Sequence, residues 1–259
     1  MTPEEKFIFD LDGYIVIQNA LSQEEVANLN AIADREFGEP YDDTQFKRMS
    51  RISHWDPACV NLFDHPNVIP YLVDLLGPKF RADHDYCIFM KKGSERGRIH
   101  GGDTEHLTNR AADHWYKYRD GVMRNGLTVC TFFLTHADEG DGGFGCIPGS
   151  HKSNFALNVP DEVRNYKLGA HYVRQPAVEA GDALIFTEAL MHGTVPWKAD
   201  HERRALLYKF SPGHSAWQDS YYSEDEFGDL TDQQKRILAP PSVGSRPDSV
   251  ENWKDLIAD

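Results

Sequence analysis

The sequence lacks the features that would place it in a membrane or on nucleic acid. No apolar run approaches the roughly 20 residues that a membrane-spanning helix needs. Positive charge is scarce, because 27 Lys and Arg residues face 41 Asp and Glu residues, which gives a formal net charge of −14. Such an acidic surface repels nucleic acid and anionic lipid, which argues against both as main partners.

Cysteine is also rare, and the four cysteines have no metal-finger spacing. Cys87 and Cys130 stand in apolar runs, which predicts buried thiols. The first residues lack the charged and apolar regions of a signal peptide. These observations predict a cytoplasmic protein.

What is present is a series of short apolar strands with turn residues between them, the pattern of a β-sandwich or barrel. We therefore expect one mainly β domain over residues 1–259, with helical support at 1–79, a β core at about 80–212 and an extension at 213–259. Helices are expected in the N-terminal third, and the extension shows only weak helical patterning near 224–237 and 250–257. Strands are predicted at Tyr14–Ile17 and at 80–91, 127–134, 171–175, 183–186 and 203–210.

Helix signals are clear before residue 80. Ser22, with Glu25 three residues later, forms a capping box for a helix that runs to about Phe37. A second helix is predicted from Val68 to Leu76. Residues 39–57 are predicted to be turn-rich. Residues 93–125 are predicted to form a long aromatic loop, of a length typical of a lid or binding loop; Trp115, Tyr116 and Tyr118 lie in it.

The stretch IHGGDTEH at 99–106 holds two histidines, two carboxylates and two glycines. Imidazole and carboxylate are the usual protein ligands of Fe, Mn and Zn, and glycine lets neighbouring side chains converge. His192 follows a distant strand, and strand ends of a barrel meet at one mouth. His100 and His192 with one carboxylate would form the facial triad of non-haem Fe(II) oxygenases.

Arg203 follows His192 at short distance. Arginine is the preferred partner of a buried carboxylate, so a metal site beside Arg203 fits an oxo-acid co-substrate that chelates the metal through its keto acid end. Arg204 is the alternative, because adjacent strand residues face opposite ways. Lys91 and Lys92, at the end of the strand that leads to the cluster, are further candidates for binding this co-substrate.

Several strings together resemble the phytanoyl-CoA dioxygenase family of Fe(II)/2-oxoglutarate oxygenases over about residues 8–212. The strings are FDLDGYIVIQNALSQEEVANL, LLGPKF, IPGSHK, EAGDALIF and MHGTVPWKADHERRALLYKF. The PGSHK turn and the H-G-T…R-R-A spacing are the most specific parts. The resemblance implies a double-stranded β-helix of jelly-roll or cupin type with iron at its open end, and it implies Fe(II), 2-oxoglutarate and O2 as cofactor and co-substrates.

The resemblance also assigns roles to residues. It makes His100 the proximal and His192 the distal iron ligand, and it places Arg203 on the far carboxylate of 2-oxoglutarate. Thr194 stands where members often place a Ser or Thr hydroxyl on that carboxylate. His151 of the PGSHK turn is expected to be structural.

The predicted metal-binding stretch at 99–106 departs from the family pattern. Members read H-x-D, whereas this chain carries Gly102 at the aspartate position and Asp103 one residue later. Asp103 is predicted as the third ligand because the glycines let the loop bend, and Glu105 is a weaker substitute. Alternatively no carboxylate binds, as in related halogenases, and the position is open to chloride. His84 and His106 are expected near the metal or the substrate rather than on the metal.

The resulting prediction is a hydroxylase that acts on a small organic substrate and converts 2-oxoglutarate to succinate. Two alternatives stay open at this point. One is a halogenase with the same cofactors, and the other is a non-catalytic β-helix module that binds a small acidic ligand through Arg203. The substrate and the oligomeric state are not predicted.

Overall fold

The computed structural model describes residues 1–38, 40–94, 97–101, 115–154 and 158–257. Antiparallel strands form a main sheet in the order β1-β8-β6-β10-β3-β2, a small sheet of β7 and β9, and a hairpin of β4 and β5. The strands are β1 Tyr14–Ile17, β2 Phe46–Ser50, β3 Arg81–Met90, β4 Tyr116–Arg119, β5 Val122–Asn125, β6 Thr128–Phe133, β7 Gly143–Cys146, β8 Ala183–Thr187, β9 His192–Val195 and β10 Arg203–Ser211. The helices are α1 Pro3–Asp12, α2 Gln23–Glu36, α3 Pro57–Val60, α4 Ile69–Leu76, α5 Asp161–Arg164 and α6 Asp232–Leu238.

The two faces of the central strand β10 belong to two different hydrophobic clusters. Leu206, Tyr208 and Phe210 face the cluster that also includes buried residues of α2 and α4. Ala205 and Leu207 face the inner cluster, which is shared with β3, β6 and β8. By the two-residue period of a strand, Arg203 and Lys209 lie on this inner face, one near each end of β10.

The predicted N-terminal helices are confirmed. Ser22 accepts a hydrogen bond from the backbone N–H of Glu25 at 3.2 Å, and the Glu25 carboxylate accepts one from the backbone N–H of Ser22 at 2.8 Å. Both helices bury an apolar face against the main sheet. The strands predicted at β1, β3, β6, β8 and β10 are confirmed as well.

Several predicted elements were wrong. Helix α1 was not predicted, although Thr2 caps it with a capping box and Gly13 ends it at φ +82°. Strand β2 lies in the stretch predicted to be turn-rich; its polar sequence FKRMS is typical of an edge strand, which need not bury both faces. Instead of a strand at 171–175, the structure has an isolated backbone bridge between Arg174 and Cys146. Helix α5 contradicts the expectation that helices are confined to the N-terminal third, whereas α6 overlaps the weak helical patterning near 224–237.

The thiols of Cys87 and Cys130 are buried as predicted, and Cys59 and Cys146 are buried too. Over the described ranges, no helix has the length and apolar character that crossing a membrane requires.

His151 ties the PGSHK turn to helix α1. Its side chain is buried, its Nε2 lies 3.0 Å from the carbonyl oxygen of Asp10, and its ring meets that of Tyr116 edge-on at 4.7 Å. Burial lowers the pKa of His151 to about 4. These contacts are those of a structural residue, as the sequence suggests.

The buried His151 is expected to make folding stability depend on pH. An unfolded histidine takes up a proton below about pH 6.5, whereas the native one does so only near pH 4. The contribution of His151 is therefore complete above pH 6.5 and is lost as the pH falls through that window, at up to about 1.4 kcal/mol per pH unit. The measurement is urea unfolding at several pH values. The free energy of unfolding should fall less steeply with decreasing pH in His151→Asn than in the wild type, and an equal pH dependence would contradict the expectation.

Candidate metal and co-substrate site

His192 begins β9 and lies between the small sheet and the inner face of the main sheet. Its Nδ1 is 2.7 Å from the carbonyl oxygen of Leu190, so Nδ1 carries the proton and Nε2 keeps its lone pair. The ring packs 4.6 Å from that of Phe186. Burial lowers the pKa of His192 to about 3, although the nearby Glu188 opposes this shift. The side chain is therefore a neutral imidazole at pH 7, which is the metal-binding form.

His100 is brought to His192 by a pair of backbone hydrogen bonds. The His100 N–H donates to the His192 carbonyl at 2.8 Å, and the reverse bond is 2.9 Å long. The two rings meet with centroids 4.4 Å apart. Gly101 follows at φ +78°, where a Cβ atom would lie 2.9 Å from the carbonyl oxygen of Leu190. The structure thus joins the two histidines predicted as ligands, and glycine is required for this close approach.

The predicted carboxylate ligand is not part of this geometry. Asp103, together with the weaker candidates Glu105 and His106, lies outside the described residues. Within the described ranges, no three or more His, Cys, Asp or Glu side chains are arranged to hold a metal ion. Of the residues predicted as metal ligands, the structure therefore describes His100 and His192.

Arg203 opens β10 and is 3% exposed. Its Nη1 lies 3.4 Å from the carbonyl oxygen of Ile88, whereas its Nε has no hydrogen-bond partner among the described residues. Burial lowers its pKa to about 10, so it stays a cation at neutral pH. A buried guanidinium with an unused N–H fits an anionic ligand, because burying an uncompensated charge is costly.

Gly143 of β7 makes room for this guanidinium. It has φ +82°, and a Cβ atom there would lie 2.6 Å from the Arg203 Nε. In the β7–β9 register Gly143 pairs with Val195 and the next residue pairs with Thr194, so Arg203 lies at the Thr194 end of the small sheet. His192 and Thr194 are two residues apart on β9 and share one face. The predicted metal end and carboxylate end of the site thus follow one strand.

The other co-substrate candidates lie elsewhere. Arg204 points to the opposite face of β10, where its side chain pairs with Glu202 and Asp34 at 2.6 Å each. Lys92 is exposed, and its Nζ pairs with Asp200 at 2.6 Å. Lys91 is exposed as well, with its ammonium group 4.6 Å from the ring centroid of Tyr41. The structure therefore separates Arg204 from the inner face, and the predicted role of Lys92 stays a prediction.

Two charged residues beside His192 were not predicted. Glu188 is buried and its Oε1 accepts a hydrogen bond from the Lys209 ammonium at 2.5 Å. Burial opposes the charge on Lys209, but Glu188 and Tyr86 together raise its pKa. The other carboxylate oxygen, Oε2, lies 3.7 Å from the Nε2 of His192. The only signal in the sequence is an acid four residues before the histidine, in EALMH.

The sequence model of the family described as phytanoyl-CoA dioxygenase (PhyH) matches residues 9–205. The chain belongs to the phytanoyl-CoA dioxygenase family. The resemblance seen in the sequence is therefore confirmed, and with it the assignment to the non-haem Fe(II) enzymes that use 2-oxoglutarate and O2. A comparison with curated proteins found no match.

Solved structures of two other proteins, HygX and SnoN, have the same fold. HygX from Streptomyces hygroscopicus with nickel and 2-oxoglutarate bound has a TM-score of 0.73 and 21% identity, over 88% of this chain and 95% of that one. HygX with nickel, 2-oxoglutarate and hygromycin B bound has a TM-score of 0.71 and 21% identity, over 99% and 100%. The non-haem α-ketoglutarate-dependent epimerase SnoN from nogalamycin biosynthesis has a TM-score of 0.61 and 15% identity, over 94% and 95%. At these identities the likeness shows the fold, and the predicted jelly-roll is confirmed.

Proposed function

We propose that this family member hydroxylates a small organic substrate while 2-oxoglutarate is converted to succinate. The observation that carries the proposal is the arrangement of His100, His192 and Arg203. Two adjacent imidazoles lie at one end of β9, and a buried guanidinium with an unused N–H lies at the other. Iron and 2-oxoglutarate, when bound, supply the oxygen activation.

Each residue has a defined task in this proposal. His100 and His192 hold the iron through their imidazole nitrogens, and the sequence offers Asp103 as a candidate for the third, carboxylate ligand. Arg203 and Thr194 bind the far carboxylate of 2-oxoglutarate, where exclusion of water strengthens the charge–charge contact. Lys92 is retained as a further candidate for co-substrate binding, although its ammonium group pairs with Asp200 at the surface.

A small-molecule substrate is supported by the structural neighbours. HygX was solved with hygromycin B bound, and SnoN is an epimerase from nogalamycin biosynthesis. Since these neighbours include an epimerase, the product has to be identified directly. Chloride transfer is the second candidate, and the observation that favours it is Gly102 at the position of the family aspartate.

The test is succinate formation by purified protein supplied with Fe(II), 2-oxoglutarate, O2 and a panel of small organic substrates. We expect succinate to form only with Fe(II), and a product that has gained one oxygen atom by mass spectrometry. His192→Ala should abolish both, while His171→Ala, which changes an exposed histidine, should leave them unchanged. A wild-type protein that neither binds Fe(II) nor forms succinate would overturn the proposal, and a chlorinated product would favour the second candidate.

A further inference from the structure

Glu188 is a buried carboxylate at the predicted metal site, and none of the roles above uses it. It directly follows β8, in the turn that leads into β9, and is 2% exposed. Its backbone N–H donates to the carbonyl oxygen of Leu127 at 2.9 Å, which fixes where its side chain starts. A carboxylate is the ligand type that the altered H-x-D motif of this chain does not supply at the family position.

The geometry of Glu188 relative to His192 suits two ligands of one ion. The Oε2 of Glu188 lies 3.7 Å from the Nε2 of His192, the nitrogen that the bond from Nδ1 to Leu190 leaves available. Two atoms that are each about 2.1 Å from one metal ion lie about 3 Å apart at a right angle and about 4.2 Å apart when opposite. The observed separation falls between these limits.

Lys209 gives Glu188 the support that a metal-bound carboxylate usually has. Its ammonium group donates to the Oε1 of Glu188 at 2.5 Å, so the second oxygen faces His192. Hydrogen bonds to the outer atom of a ligand fix its orientation and are part of most metal sites. The side chains of both residues are largely buried, with 12% of Lys209 and 3% of Glu188 exposed.

His100 would complete the set of ligands after a rotation of its side chain. Its backbone is held against His192, and a Cβ atom at Gly101 would lie 3.1 Å from the carbonyl oxygen of Glu188, so the three residues form one contiguous patch. The described donors do not yet converge as a group of three. Since His100 is exposed, a rotation of its side chain toward a bound ion would keep its backbone bonds to His192.

We propose that Glu188, rather than Asp103, is the carboxylate ligand of the iron, together with His100 and His192, and that Lys209 orients it. This inference rests on the proposed function for the existence of the metal site. It has a chemical consequence, because two histidines and one carboxylate leave three positions for 2-oxoglutarate and O2. Glu188 then takes the coordination position that the family aspartate would occupy, which Gly102 cannot fill, so this position is not available to chloride.

Metal affinity separates the two carboxylates without any turnover. Mn(II) binding by isothermal titration calorimetry, with 2-oxoglutarate omitted, should weaken by more than about 100-fold in Glu188→Gln, beyond the 10- to 100-fold typical of an outer-shell partner. Asp103→Asn is the matched control and should bind Mn(II) as the wild type does. The amide of Glu188→Gln can still accept the Lys209 hydrogen bond.

A gain-of-ligand experiment distinguishes a ligand from a residue that only positions one. In Glu188→His the new imidazole should join the metal, so electron paramagnetic resonance of the Cu(II)-loaded protein should show coupling to three coordinated nitrogens instead of two. Asp103→His should stay at two. Three nitrogens in Asp103→His and two in Glu188→His would overturn the inference, as would wild-type Mn(II) affinity in Glu188→Gln.

Folding and function are controlled separately. If Glu188→Gln unfolds because Lys209 loses its partner, the double variant Glu188→Gln/Lys209→Met removes both charges and should fold and still bind Mn(II) weakly. If that folded double variant binds Mn(II) as the wild type does, Glu188 is not a ligand. If the wild-type protein does not bind Mn(II), the proposed function is contradicted. If the wild type binds Mn(II) but the binding depends on Asp103 and not on Glu188, only this inference is contradicted.

Discussion

Replacing Arg203 with methionine is expected to abolish tight binding of 2-oxoglutarate while the protein stays folded. The guanidinium is buried, and within the described ranges it forms no ion pair and leaves its Nε without an acceptor. Removing one member of a buried charge pair in a complex costs about 2–5 kcal/mol, so affinity should fall by about 30-fold or more. The free protein loses no carboxylate contact of Arg203, so its melting temperature should be unchanged or higher.

Arg204→Met is the matched control for this experiment. Arg204 is the adjacent residue and the same side chain, but it lies on the opposite face and pairs with Glu202 and Asp34. Its loss should cost at most about 1 kcal/mol of folding stability, as for other partly exposed pairs, and should leave 2-oxoglutarate binding intact. Calorimetric titration of 2-oxoglutarate into the Mn(II)-loaded variants measures both effects. Equal affinities for Arg203→Met and the wild type would remove Arg203 from the site.

The strand pattern was predictable because burial leaves a signature in the residues themselves. Strands β3, β6 and β10 are apolar or aromatic over most of their length, and all three lie inside the main sheet. Strand β2 is not predictable in this way, because an edge strand pairs with only one neighbouring strand and tolerates a polar sequence. Stretch 171–175 has the opposite problem: it carries β-forming residues but pairs through a single bridge.

The candidate site shows the same limit. His192 and Arg203 were identified because a histidine after one strand and an arginine at the start of a later strand lie only a short distance apart in the sequence. Gly143 and Glu188 were not identified, since their importance depends on contacts with Arg203, His192 and Lys209 that the sheet pairing creates. The one local signal, an acid four residues before His192, does not by itself mark Glu188 as a ligand among the 41 Asp and Glu of the chain.

Of the substitutions described, Asp83→Ala is expected to cause the largest loss of folding stability. The Asp83 carboxylate on β3 accepts hydrogen bonds from Arg81 at 3.0 Å, from Ser211 at 3.0 Å and from the backbone N–H groups of Trp217 and Gln218 at 2.8 and 3.3 Å, and it lies 2.7 Å from the Nδ1 of His84. It thereby joins the end of the main sheet to the C-terminal extension. Burial opposes the charge on Asp83, but these partners lower its pKa, so it is ionised at neutral pH.

The size of the effect follows from what the substitution leaves behind. Arg81 is fully buried and its Nε and Nη2 have no other hydrogen-bond partner among the described residues, so Asp83→Ala strands a buried cation. Breaking such a pair by removing one partner costs about 3–5 kcal/mol. Urea unfolding should show this loss, whereas Asp200→Ala, which removes an exposed pair with Lys92, should leave the free energy of unfolding almost unchanged.

A double variant shows whether the stranded charge is the cause. Arg81→Met/Asp83→Asn replaces the buried pair with neutral groups of similar size and keeps an acceptor for the backbone N–H groups of Trp217 and Gln218. It should recover a large part of the stability lost in Asp83→Ala, because replacing both partners of a buried pair is far less costly than removing one. A loss below about 1 kcal/mol in Asp83→Ala, or no recovery in the double variant, would mean that the extension is held mainly by other contacts. One such contact is Arg246, which donates hydrogen bonds to six carbonyl groups at 2.5 to 3.2 Å, among them those of Lys79 and Phe80 outside the extension.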